Sequence, residues 1–286
     1  MGSRVRQFRR HLGLASAFGL CVLLSGAVVG STDGAGLRVA PPDREFRFAR
    51  LMYSGNMFGG RGGSWQTDAP DAEYHLLMGM RRLTRIDAID PEAAVDWLRG
   101  SGGRISEPGA AQRDEFIFTR LTDPALHEFP FLYGVEVGQW YLDEDEAVAL
   151  REYLERGGFL MVDDFHGTEE WEGFMESMQR VFPDRPVDEI PDDHEVFHVL
   201  YDLDHKVQIP GIGTYRRGGG QTWERDGYTP HWRGVFDDAG RLMVAINFNM
   251  DLGDAWEHAD DADYPQPLTA LAYRFAISYA LYAMTH

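Results

Sequence analysis

The stretch GGFLMVDDFHG, residues 157–167, restricts the fold of this chain more than any other. Ahead of it, Asp143 and Glu146 have capping-box spacing, Ala147, Leu150 and Leu154 form an apolar stripe at helical period, and Gly157 stops the helix. Behind the glycines, Phe159 to Val162 is an unbroken apolar run, too short for a helix and without the alternation of a half-exposed strand. A strand of that kind is buried on both faces, as in a parallel sheet covered by helices. Ligands of such sheets sit beyond the carboxyl ends of the strands. Asp163, Asp164 and His166 stand at that end, as a site or as a hydrogen-bonded turn.

The flanking segments extend this pattern. Phe46 to Tyr53 (FRFARLMY) alternates and reads as a first strand. Asp68, with Pro70 just behind it, opens a helix that places Ala72, Leu76, Met80 and Leu83 on one face. Phe129 to Gly134 is a second short apolar strand, and Trp171 to Phe182 a further helix. Trp232 to Phe236 and Leu242 to Phe248, joined by DDAG, read as a hairpin. Leu268 to Met284 is apolar nearly all round with Arg274 in its middle, which fits a buried closing helix better than a membrane span. Strands and helices alternating at short spacing predict one α/β domain, a parallel sheet with helices on both faces and a β-hairpin extension in the C-terminal half. Residues 55–65 and 98–113 read as loops; the first lacks both GxGxxG and the GK[ST] ending, so it is no phosphate cradle.

The start of the chain differs in kind. Arg4, Arg6, Arg9 and Arg10 precede an apolar run from about Leu12 to Val29, and no acid occurs before Asp33. This is the layout of a secretory signal over residues 1–30, with an uncleaved anchor as the alternative, followed by a linker over 31–44 and the domain over 45–286. Cys21 sits inside the apolar run, which argues against a lipoprotein. Cleavage near residue 30 removes four arginines and takes the formal charge from −19 to −23, a surface that repels nucleic acid and anionic lipid. It also removes the only cysteine, leaving no disulfide, thiolate ligand or cysteine nucleophile. The expected location is periplasmic or extracellular, with no membrane span in the mature chain.

Asp163 and Asp164 are adjacent, so in a continuing strand they would point to opposite faces and could not share a proton. The bland reading has one capping a helix and the other bonding a loop; the functional one adds His166 as base or metal ligand. Residues 247–263 (NFNMDLGDAWEHADDAD) place Asn247, Asn249 and Asp251 at alternating positions like a calcium loop. The sixth position is then Leu252 rather than glycine and the twelfth His258 rather than glutamate, so an EF-hand is excluded, while another cation site stays open. HEVFH, residues 194–198, matches H-E-x-x-H literally. It lies between Pro191 and a β-rich stretch without helical period, against a zinc protease helix.

The order of motifs along the chain resembles one family. It runs Arg50-Leu51-x-Tyr53, Trp65-x-Thr67-Asp68-x-Pro70, and Phe129-Pro130-Phe131-Leu132-Tyr133. It continues with Leu150-Arg151-x-Tyr153-Leu154-x-Arg156-Gly157-Gly158-Phe159-Leu160-x-x-Asp163-Asp164. It closes with His194-x-x-Phe197 and Asn247-x-x-x-Asp251-Leu252-Gly253-Asp254-x-Trp256-Glu257. This resembles the DUF4159 family over about residues 45–286. That family is similar to the class I glutamine-amidotransferase-like superfamily, so the resemblance implies a flavodoxin-like α/β fold. Amidotransferase chemistry is not implied, because the strand-to-helix turn carries Asp164-Phe165-His166-Gly167 where those enzymes place a cysteine. Two function classes follow: a non-catalytic domain binding a polar small molecule or a protein, and a hydrolase or metal-dependent enzyme acting on a sugar-derived or other polar substrate through Asp163, Asp164 or His166. The expected ligand-facing residues are Trp65, Asp68, Tyr133, Asp163, Asp164, His166, His194, Asn247, Asp251 and Trp256. Asp68, Asp163 or Asp164, and Asp251 should share one cleft. Neither a cofactor, a metal nor an oligomeric state is specified by the residues.

Overall fold

The computed structural model describes residues 46–55, 64–92 and 118–286. The expected signal, the linker, most of the glycine-rich loop and the 98–113 loop lie outside these residues. The strands are β1 (Phe48–Leu51), β2 (Ser54–Gly55), β3 (Phe118–Thr119), β4 (Phe131–Val135), β5 (Trp140–Tyr141), β6 (Phe159–Asp163), β7 (Asp188–Glu189), β8 (His231–Phe236) and β9 (Leu242–Phe248). The α-helices are α1 (Asp71–Leu83), α2 (Glu144–Glu155), α3 (Gly167–Val181), α4 (Ile212–Arg217), α5 (Leu252–Glu257) and α6 (Gln266–Thr285).

Seven strands form one sheet in the order β3-β1-β4-β6-β9-β8-β7, and β2 pairs with β5 in a small antiparallel sheet. β3, β1, β4, β6 and β9 are mutually parallel; β8 runs antiparallel to β9, and β7 antiparallel to β8. In chain order the five parallel strands lie 2-1-3-4-5, the arrangement of a flavodoxin-like α/β fold. The chain leaves β1 for one side of the sheet and then crosses to β4 on the other. Right-handed crossovers put the intervening helices on opposite faces. α1 packs with α5 and α6, and α2 with α3. The reversal puts the switch point beyond the carboxyl ends of β1 and β4, the place where such sheets bind ligands.

The helix-to-strand turn ahead of β6 explains the Tyr-Leu-x-Arg-Gly-Gly-Phe motif physically. α2 begins with the expected capping box between Asp143 and Glu146 and buries Ala147, Leu150, Tyr153 and Leu154. The Tyr153 hydroxyl donates to Phe129 O (2.9 Å) and accepts from Phe159 N (3.3 Å), tying the helix end to the starts of β4 and β6. Gly157 has φ +106°, and a Cβ on Gly158 would stand 2.4 Å from the Tyr153 ring. Gly158→Ala should therefore destabilise the domain by about 1–3 kcal/mol, as overpacking does. Urea denaturation checks this; a loss below ~0.5 kcal/mol would mean that the ring moves aside freely.

Several expectations are corrected in detail. β1 is buried on both faces, Arg50 included, so the alternation of FRFARLMY does not mark an exposed side. Arg50 is enclosed because Glu73 of α1 meets it there. The hairpin of β8 and β9 is no appendage: β9 pairs with β6 inside the main sheet, and β8 and β7 extend that sheet as its antiparallel edge. Asp68 does not cap α1; Pro70 is the capping residue and makes no side-chain bond. Ala72, Leu76 and Met80 are buried as expected, whereas Leu83 at the helix end is exposed. α6 buries ten residues and packs on α5, α1 and the turn at Glu195–Phe197. Among the described residues no helix is long and apolar enough to cross a membrane.

Candidate functional site

Arg50, at the carboxyl end of β1, organises one wall of the crevice. Its Nε donates to Glu73, and its Nη1 donates to Trp65 O (3.0 Å) and Thr67 O (2.5 Å). The guanidinium thus clamps the segment that leads into Asp68. Asp68 itself has φ +63°, a left-handed conformation that aspartate tolerates better than most residues. Its neighbours at the rim behave alike. Glu136 just after β4 has φ +51°, Asp164 just after β6 has +52°, and Asn249 just after β9 has +63°. Three adjacent parallel strands therefore each end in a polar residue held in a sparsely populated backbone region. Such strain persists where surrounding structure enforces it, and it clusters at functional sites.

The left-handed turn separates the two aspartates of DDFHG. Asp163 still belongs to β6, and its Oδ2 accepts from Leu252 N (2.7 Å) and Gly253 N (3.2 Å) at the start of α5. Asp164 leaves the strand, and its backbone N–H donates to Met250 O (2.8 Å). Asp251 caps α5 through Oδ1, which accepts from Asp254 N (2.8 Å), and its Oδ2 remains for other partners. The outcome is that Asp68, Asp164 and Asp251 each bring a carboxylate oxygen within 4.8 Å of the other two. Two glycines admit this approach. A Cβ on Gly253 would lie 2.4 Å from Asp68 Oδ2 and 2.6 Å from the Tyr133 hydroxyl. A Cβ on Gly211 would lie 2.8 Å from Asp251 Oδ2 and 3.2 Å from both Asp254 Oδ2 and Glu224 Oε1.

Burial first, and then the proximity of other carboxylates, sets the electrostatics. Two unit charges ~4 Å apart repel by about 4 kcal/mol at an effective dielectric of ~20. Burial, then Asp254, pushes the Asp68 carboxyl well above the usual range; Arg50 opposes this. Burial, then Asp68 and Glu136, does the same to Asp164, and burial, then Asp164 and Asp254, to Asp251. Asp163, fully enclosed, is pushed up to about 7 by burial, against its bonds to Tyr133 and α5. Glu136 is pushed up to about 7 by burial and by Glu170. His166 supplies no compensating charge: burial holds it down to about 4. Its Nε2 lies 3.3 Å from Asp164 Oδ1, and its Nδ1 has no partner. Asp68 Oδ2 is likewise buried without a hydrogen-bond partner, while the enclosed Tyr133 hydroxyl and Asp163 carboxyl engage each other.

Not all expected residues reach the crevice. Tyr133 does, with Arg50 5.0 Å over its ring and Trp256 packed 5.4 Å away. Trp65 packs on Phe118 and contributes its backbone carbonyl, and Trp256 is enclosed in the core. Asn247 spends its side chain inside the fold, donating to Val162 O and accepting from Tyr279. His194 lies at the opposite end of the sheet, packed on Phe236 and Tyr282, with Nδ1 accepting from Val196 N. HEVFH is a short 3₁₀ turn, not an α-helix, and His198 bonds Asp202 and Asp192. A second triad, Asp254, Glu257 and His258, is half-buried, and there the imidazole pairs with both carboxylates at 3.5 and 3.4 Å.

Sequence reading missed Glu136, Glu224 and the Arg50–Glu73 pair as parts of the site. Glu136 follows an apolar strand without any local motif, and its role depends on the left-handed turn. Its Oε1 accepts from Thr67 Oγ1 (3.4 Å) and its Oε2 from Gln139 Nε2 (3.2 Å). Glu224, from a surface loop, accepts from Thr214 Oγ1 (2.5 Å) and is drawn in only by the packing of α4. The Arg50 position was visible as part of a motif, but its ion partner is 23 residues away on α1.

No curated protein matches the chain. The family described as Domain of unknown function (DUF4159) matches residues 47–284, which takes in the whole sheet, the carboxylate crevice and the closing helix. On that match, the chain belongs to the DUF4159 family.

Proposed function

We propose that the chain is an exported ligand-binding domain whose ligand sits in the crevice lined by Asp68, Asp164 and Asp251. The observation that carries the reading is the convergence of these three carboxylates, from segments far apart in sequence, within 4.8 Å of one another. A pocket that presents mostly acceptors selects a donor: an amine, a polyol or a metal ion. The 2-1-3-4-5 strand order supports placement in the class I glutamine-amidotransferase-like superfamily, and the lack of a cysteine at the β6–α3 turn argues against amidotransferase chemistry. The acidic balance speaks against nucleic acid as a partner. Export rests on the arginine-led apolar run before residue 30, and N-terminal sequencing of the exported form should begin near residues 28–31.

The ligand reading is tested by thermal shift with a panel of polyols, amino sugars and polyamines. A ligand at a hundred times its Kd stabilises by about 2.7 kcal/mol, which raises Tm by roughly 5–10 °C in a domain of this size. The shift should vanish in Asp164→Asn and Asp68→Asn. A shift that persists in both variants, or no shift with any compound, removes the reading.

A second reading, a hydrolase acting through Asp163, Asp164 or His166, is favoured by one observation. Glu136 and Asp163 both sit near neutrality beside the crevice, as groups that exchange protons do. It ranks second because Asp163 is fully buried and already engaged with α5. Turnover of nitrophenyl glycosides or esters that disappears in Asp164→Asn would reverse the ranking.

A further inference from the structure

The geometry points to a specific occupant: a single divalent cation of calcium's size, held by Asp68, Asp164 and Asp251. This deepens the ligand-binding reading and rests on the same crevice. Three oxygens no more than 4.8 Å apart share a centre within about 2.8 Å of each. Calcium–oxygen bonds are roughly 2.3–2.6 Å, so small side-chain adjustments suffice, whereas the ~2.0–2.1 Å octahedron of magnesium needs the three chains to close much further. The donor set is oxygen only, which suits a hard cation and not copper or zinc.

Independent observations go beyond the cluster of acids. Asp68 Oδ2, one of the cluster's own oxygens, is buried and has no hydrogen-bond partner. It lies beside Tyr133, whose hydroxyl is engaged with Asp163: a Cβ on Gly253 would touch that hydroxyl and Asp68 Oδ2 together. Gly211 opens a similar space among Asp251, Asp254 and Glu224. Buried polar atoms of this kind are rare and are ordinarily satisfied by water or an ion. Arg50 is bound to Glu73 and two carbonyls, and Arg225 pairs with Glu170. The cation would occupy the centre of the three carboxylates and keep open positions toward the crevice, where a ligand hydroxyl can join its coordination shell.

The test uses the full chain, freed of metal with a chelator and titrated with calcium chloride by calorimetry at pH 7.5. One equivalent of Ca²⁺ should bind, at least tenfold more tightly than Mg²⁺. Asp164→Asn and Asp68→Asn should each weaken binding tenfold or more, while His258→Ala, in the neighbouring triad, should leave it unchanged. Terbium gives a second readout: bound at this site it should luminesce on excitation of Tyr133 and Trp256, and calcium should quench the signal by displacement. Near-ultraviolet circular dichroism shows whether each variant is folded; should one Asn variant fail to fold, Asp251→Asn takes its place with the same tenfold weakening expected. No saturable calcium binding, or binding that survives both Asn variants, overturns the cation. So does binding lost in His258→Ala, which would move the metal to Asp254, Glu257 and His258. If calcium fails while an amine or polyol still binds in an Asp164-dependent way, only this inference falls; if neither binds, the crevice reading falls with it.

Discussion

Arg50→Met should lower the stability of the domain by about 3–5 kcal/mol, the cost of leaving a buried charge without its partner. Arg50 and Glu73 are both enclosed, and burial by itself disfavours either charge. Each is kept charged by the other, with Asp68 adding to the field on the arginine. Removing the arginine strands Glu73, whose Oε2 already lacks a partner, and frees Trp65 O and Thr67 O. The double replacement Arg50→Met, Glu73→Leu should cost less than either single change, since no lone charge remains. Guanidinium denaturation of the four proteins closes the cycle. The same variants speak to function: the segment 65–68 loses its clamp, so ligand binding should fall even in the double variant, where stability is largely restored. Full binding in a stable double variant would show that Arg50 does not position Asp68.

The pH dependence of stability should run opposite to ordinary acid unfolding. Asp163 has a folded value of about 7 against 3.8 for the free side chain. Above pH 4 the unfolded chain gives up this proton while the folded protein retains it. Stability contributed by the neutral form is thus complete below about pH 4, declines as pH rises, and is lost above about 7. The displacement corresponds to on the order of 4 kcal/mol for Asp163, and Asp68, Asp164 and Asp251 act in the same direction. Urea midpoints of chelator-treated protein should fall between pH 5 and 7. Asp163→Asn should flatten part of that slope, because asparagine accepts from the α5 backbone and donates toward Tyr133 as the neutral acid does. A midpoint that is level or climbing from pH 5 to 7, with no difference in Asp163→Asn, would contradict the buried neutral carboxyl.

The pattern of residues in the chain was sufficient for the layered α/β class. The unbroken run Phe159–Val162 demanded a strand covered on both faces, and the Asp143–Glu146 box with its stripe demanded a helix before it. These are local periodicities, and local geometry alone determines them. The same logic placed Asp163 and Asp164 at the carboxyl end of a strand, while the left-handed turn at Asp164 is what parts their side chains. It also led astray where tertiary contacts override period. The burial of Arg50 left no local sign because its partner sits on another element, and β9 looked like part of an extension because the sequence shows its hairpin mate but not its pairing with β6. His194 belonged to a motif, yet chain topology carried it to the far end of the sheet. The rule that ligands sit beyond the carboxyl ends of strands already grouped Asp68, Asp164 and Asp251; only the tertiary structure decided how closely they meet and what joins them. Asp68, Asp164 and Asp251 come from three loops, and Glu136 and Glu224 from two more. Their meeting depends on strand order and on left-handed turns after β4, β6 and β9, which leave no periodic trace in the sequence. Which carboxylates share a proton or a cation depends on separations of a few ångströms, because electrostatic energy follows distance and burial rather than position in the chain.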